Sequence, residues 1–145
     1  MFISYGFIHS NVIHLLINVI ALFLLGNILR KLGKDKLTFL ILFFSILGGA
    51  TFYYLFKSNS PVPLIGANCA SFGLLAFVLS EELIKRLRRR RSISQILYVL
   101  FIFVFAHILY FYAFSAIMPV SVIWQGHLGA FCTGAILALS IIQIS

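Results

Sequence analysis

Five stretches of about 20 residues, nearly free of charge, follow one another along this chain. They run over about 12–29, 37–56, 64–80, 96–117 and 122–142. A helix of about 20 apolar residues crosses the hydrocarbon core of a bilayer. A helix also satisfies every backbone N–H and C=O within its own segment, which lipid demands. Composition agrees, with 62% of the 145 residues hydrophobic, 10% charged and a mean hydropathy of +1.11. Soluble domains run near 45–50% apolar and about 25% charged. The expected fold class is therefore all-α, a polytopic transmembrane helix bundle of about five helices. One membrane domain, 1–145, is expected. The N-terminus has no basic region followed by a small-residue cleavage site, so no signal peptide is expected.

The net charge of +8 is unevenly placed. Ten of the eleven Lys and Arg residues fall in two loops, Arg30 to Lys36 and Lys85 to Arg91, while Lys57 stands alone in another. Basic residues at helix ends mark the cytoplasmic side, which argues against nucleic acid as the partner. The expectation is an integral, multi-pass protein of a bacterial-type plasma membrane, with the N-terminus outside and the C-terminus cytoplasmic. The run Arg88-Arg89-Arg90-Arg91 is read first as a topology signal and second as a contact for anionic membrane lipid. Pro63 suits the start of a helix. Cys69 and Cys132 are too few and too far apart for a disulfide framework or a zinc site and are expected as buried free thiols. No cofactor and no metal are expected.

Polar residues inside lipid are costly and mark function or helix association. The candidates are His9, His14, Asn18, Asn27, Asn68, His107, Gln125 and His127. In the stated orientation His9, His14, Asn18, Asn68 and His127 share the outer half of their helices. His14 and Asn18, four apart, lie on one helix face. Gly126, Ala130, Gly134 and Ala138 form a small-residue stripe on the last helix. Gly66, Ala67, Ala70 and Gly73 answer it on the third span, so close helix packing is expected there. That apposition would bring His127 beside Asn68. Each pattern is also read as helix packing without chemistry, and His107, among aromatic residues, as packing or an interhelical hydrogen bond.

Three segments together resemble the rhomboid family of intramembrane serine proteases. The first is His9-Ser10-Asn11-Val12-Ile13-His14-Leu15-Leu16-Ile17-Asn18, similar to that family's HxxxxHxxxN. Gly66-Ala67-Asn68-Cys69-Ala70-Ser71-Phe72-Gly73-Leu74-Leu75 is similar to its GxSGxxxGLL. Gly126-His127-Leu128-Gly129-Ala130-Phe131-Cys132-Thr133-Gly134 resembles its last-helix motif. The resemblance implies a serine-type peptide-bond hydrolase fold with His127 at the general-base position and Asn68 at that of the nucleophile. It further implies that His14 and Asn18 stabilise the oxyanion, with backbone N–H groups around Ala67, Asn68 and Cys69, and that Phe72 lies against His127. Such preorganised donors are each worth about 10²–10³ in rate.

Two residues depart from the motif. Asn68 replaces the serine and Cys69 the following glycine. An amide nitrogen is a poor nucleophile because its lone pair is delocalised, so Asn68 is expected to donate a hydrogen bond to His127 and fill the site. Cys69 and Ser71 sit about 100° and 300° round the helix from it, so neither replaces the serine. The family's first helix and following loop have no counterpart before residue 9, and a fragment, a misassigned start, a reduced form or a partner chain supplying that helix would each account for this. Three functions are set against one another. One is a catalytically impaired rhomboid-like protein that binds transmembrane segments of client proteins. Another is an active endopeptidase using Cys69 or Ser71. The third is a small channel or transporter.

Overall fold

The computed structural model describes residues 3–56, 64–115 and 124–144. Every regular element among them is helical. A 3-10 turn, Ser4–Phe7, precedes α1 (Val12–Lys31), and a second, Asp35–Leu37, precedes α2 (Thr38–Phe56). Then come α3 (Asn68–Arg88), α4 (Ser94–Ser115) and α5 (Trp124–Ile144). The expected loop from Lys57 to Pro63 and the connection Met118-Pro119-Val120 lie outside the described residues. The chain divides into two compact units, Met1–Glu81 with Ile123–Ser145, and Glu82–Val122.

In the first unit, local chemistry sets the limits of α1. Asn11 caps its start, the side-chain oxygen accepting from the His14 backbone N–H at 2.8 Å, which satisfies one of the amides a helix leaves open. Its end is closed by backbone bonds from Gly33 N–H to the Arg30 carbonyl and from Lys34 N–H to the Leu29 carbonyl. Gly33 takes φ +69° there, the left-handed conformation that glycine adopts without a Cβ penalty.

The small-residue stripes do face each other. A Cβ on Gly134 would fall 2.7 Å from the Gly73 carbonyl carbon and 2.8 Å from its Cα, so the two backbones touch. A Cβ on Gly73 would strike Ser45 of α2. Gly49 packs against Cys69, and Gly129 against Phe52 and the Gly48 carbonyl. These contacts place α3 at the centre of the unit, with ten residues buried between Cys69 and Glu81. Ala130 and Ala138 of the α5 stripe are fully buried.

Among the described residues, three helices are long and apolar enough to cross a membrane, Val12–Lys31, Asp35–Phe56 and Trp124–Ile142. The third span is corrected in its limits. It begins at Asn68 rather than 64 and stays helical through the charged segment to Arg88, so it is less apolar than 64–80 suggested. Its position among α2 and α5 lets it be so, because protein rather than lipid surrounds its buried residues. In α4 the described apolar run is shorter, Ser94–Leu109. Cys132 is corrected too. It is exposed, on the α5 face away from the Ala130 and Gly134 contacts.

In the second unit, the last turns of α3 lead through a short turn into α4. Arg86 ties them together, its Nε on the Glu82 carboxylate at 2.6 Å, Nη1 on the Ser92 carbonyl and Nη2 on the Gln95 side chain. Most of the described α4 side chains are exposed, as suits a helix meeting lipid. His107 packs against Phe103, ring centroids 5.1 Å apart.

Candidate functional site

His14 and Asn18 of α1 meet the start of α3 because of the turn before it. Gly66 has φ +97°, so an L side chain is disfavoured there. A Cβ would also meet the His14 ring at 2.7 Å and approach Asn18 Nδ2 at 3.6 Å. The sequence placed Gly66 in the packing stripe of the third helix. It instead lies outside the helix, where it lets the backbone pass over His14 and Asn18. The 3-10 turn at the N-terminus holds that strand in place. Tyr5 is buried, its hydroxyl donates to the Ile46 carbonyl of α2 at 2.7 Å, and its carbonyl accepts from Gly66 N–H at 3.0 Å. Burial, with Cys69 beside it, pushes the Tyr5 hydroxyl above the usual tyrosine range, so it remains a donor.

His14 and Asn18 are both buried. Asn68 Nδ2 lies 3.0 Å from His14 Nε2, and Ser10 Oγ lies 3.1 Å from His14 Nδ1. With the amide donating to Nε2, the ring proton sits on Nδ1 and is donated to Ser10. Both ring nitrogens are then engaged, and His14 has no Nε2 proton to offer a guest oxygen. The Asn68 amide nitrogen thus reaches across to α1, a contact the sequence did not lead us to expect. His127 has a support of its own. Its ring stacks on Phe72, centroids 4.4 Å apart and planes 6° from parallel. Phe72 follows Asn68 by one helical turn, so His127 and Asn68 flank the same end of α3.

The remaining donors are distributed as follows. The Ala67 N–H points at His9 Nε2, 3.4 Å away, and the His9 ring meets the His14 ring edge-on at 5.1 Å. Asn18 Nδ2 is buried and makes no hydrogen bond among the described residues. Leaving such a donor unpaired costs about 1–3 kcal/mol, so it is the group best placed to donate to a guest carbonyl oxygen. Neither substitute nucleophile shares the Asn68 direction. Cys69 is 1% exposed and packs on Gly49 and Gly126. Ser71 is buried, its Oγ without a hydrogen bond among the described residues.

Sequence reasoning assigned no part to Ser10 or Tyr5 and no partner to His9. Spacing gave no clear signal for Ser10, which precedes the N-cap of α1 and so lies outside the helix. Tyr5 gave none, since its contacts with Ile46 and Gly66 are distant in sequence. The channel reading expects polar groups through the whole depth. His9, His14, Asn18 and Asn68 instead gather around Gly66, while Asn27 bonds the Phe23 carbonyl and Arg30 toward the other end of α1.

A family model described as Rhomboid domain matches residues 1–144. Comparison with curated proteins and with solved structures found no match.

Proposed function

The chain belongs to the rhomboid family, and on that premise we propose that it binds transmembrane segments of client proteins without hydrolysing them. The observation carrying this reading is the Asn68–His14 pair at 3.0 Å. At the nucleophile position it puts a group that cannot attack a carbonyl, and it occupies the histidine that would otherwise stabilise the oxyanion. Loss of a serine nucleophile alone costs on the order of 10⁶ in kcat in a serine protease. Losing an oxyanion donor as well costs about 10²–10³ on top, although such effects are not additive. The scaffold that receives a segment is retained. Gly66 keeps the backbone close to α1, Asn18 keeps an amide donor with no bond among the described residues, and the Phe72–His127 stack forms the far wall. In the proposed orientation, with the N-terminus outside, this group opens toward the outer face of the membrane.

The test is cleavage of a labelled transmembrane substrate by the reconstituted chain. We expect no product from the unmodified protein, while a photo-reactive substrate analogue crosslinks to it near Asn18. Changing Asn68→Ser, alone and with Cys69→Gly, is expected to restore slow, His127-dependent cleavage. Robust cleavage by the unmodified chain that is lost in His127→Ala refutes the proposal.

A further inference from the structure

The two basic loops end their helices by the same backbone device but with different residues, and that difference points to a second site. After α1, Gly33 occupies the left-handed position at φ +69°. After α3, Arg90 N–H bonds the Leu87 carbonyl at 3.1 Å and Arg91 N–H bonds the Arg86 carbonyl at 2.9 Å. This is the same pair of bonds, and the left-handed residue is Arg90 at φ +50°. Glycine, or sometimes asparagine, normally fills that position, because any Cβ is penalised there. The chain therefore accepts strain to put a guanidinium where a side chain is least welcome.

The surroundings concentrate the charge. Residues 82–122 hold six cations, Lys85, Arg86 and Arg88 to Arg91, against one anion, Glu82. That anion is paired with Arg86. Arg86 is itself spent on holding the turn, through Glu82, Ser92 and Gln95. Arg88, Arg89, Arg90 and Arg91 are exposed, with no acid beside them in sequence. The helix dipole favours cations in the last turn of α3, which accounts for Lys85, Arg86 and Arg88. It falls off beyond the helix end and gives no reason for three more. Exposed Leu87, Leu97, Tyr98 and Phe101 flank the turn, so the charge sits where apolar surface gives way to polar.

We propose that the Arg88–Arg91 turn is a binding site for the phosphodiester headgroup of anionic membrane lipid, preorganised by the Arg86 clamp. Guanidinium forks match phosphate oxygens two at a time. A flexible basic tail meets any anionic surface loosely. A turn fixed by the Arg86 clamp loses less freedom when it binds, and so selects a headgroup. Each arginine near an anionic surface contributes about a fivefold gain in binding.

The test is retention of phosphatidylglycerol against phosphatidylcholine by the full chain, read by native mass spectrometry after extraction from mixed vesicles. The unmodified protein is expected to keep phosphatidylglycerol preferentially, and less so at high salt. Arg90→Gly separates binding from folding, because glycine suits the backbone. Its melting temperature should hold or rise while retention falls about fivefold. Replacing all four arginines by glutamine should abolish the preference, and Arg86→Gln, which keeps all four, should weaken it. Three results overturn the proposal: undiminished preference in Arg90→Gly, equal retention of both lipids by the unmodified chain, or displacement of the lipid by millimolar glycerol phosphate or an RNA oligomer. The first makes the turn a topology signal only, and the last assigns it to a soluble ligand.

Discussion

Replacing Gly134 by alanine should loosen the contact on which the site depends. The new Cβ would lie 2.7 Å from the Gly73 carbonyl carbon and 2.8 Å from its Cα, and closer to the carbonyl oxygen. Ordinary carbon–carbon contact is about 3.5–4.0 Å. The obstacle is backbone, so no side-chain rotation relieves it, and α5 must move from α3 by about 1 Å. A gap of that size forfeits a quarter to a half of each dispersion contact it opens. In lipid those contacts carry most of the association, because burial from water no longer drives helices together. Overpacking of this kind costs about 1–3 kcal/mol, and here about 2–3 kcal/mol is expected. Gly26→Ala is the control, since no atom lies within 4 Å of the added carbon. It should be neutral or gain up to about 1 kcal/mol from helix propensity. Unfolding of both variants in mixed micelles of mild detergent and SDS measures the difference. If Gly134→Ala lies within about 0.5 kcal/mol of Gly26→Ala, the close approach of α3 and α5 is not what holds this unit together.

Tyr5→Phe should cost about 0.5–1.5 kcal/mol by removing the bond to Ile46, read in the same unfolding assay. It should also change the alkaline limb of stability. With its pKa raised in the folded state, Tyr5 contributes fully below the ordinary tyrosine value near pH 10 and progressively less above it. Stability of the unmodified protein should therefore fall above about pH 10 more steeply than that of Tyr5→Phe, and equal slopes would contradict the burial of Tyr5. Thiol labelling separates the cysteines. In mild detergent, a maleimide should modify exposed Cys132 ahead of buried Cys69, which should react only after unfolding, as peptide mapping would show, and labelling of Cys69 in the folded protein as fast as of Cys132 would reopen it as a nucleophile.

The membrane character and the helical class were legible because twenty uncharged residues in lipid have few conformations open to them. Spacing also showed that His14 and Asn18 share a face, and that the stripe around Gly134 wants a close neighbour. The limits of α3 were less legible. Hydropathy ends a span at the first charges, whereas the backbone stays helical to Arg88 because that end is closed by its own cap. Cys132 misled for a related reason, since an apolar residue in an apolar span carries no mark of which side meets lipid.

By itself, then, the sequence determined that this is a rhomboid-family membrane protein, and its resemblance to the family's motif put Asn68 in the place of the serine. Only the tertiary structure decided that this asparagine reaches His14. Nothing in the spacing of Asn68 points to that partner. The contact depends on the rotation of α3 about its axis and on the Gly66 turn that brings α1 beneath it. Those are fixed by contacts between residues far apart in the chain, Gly73 with Gly134 and Tyr5 with Gly66. A helix shows its composition in its sequence, but its rotation against a neighbour is settled by which small residues allow two backbones to meet.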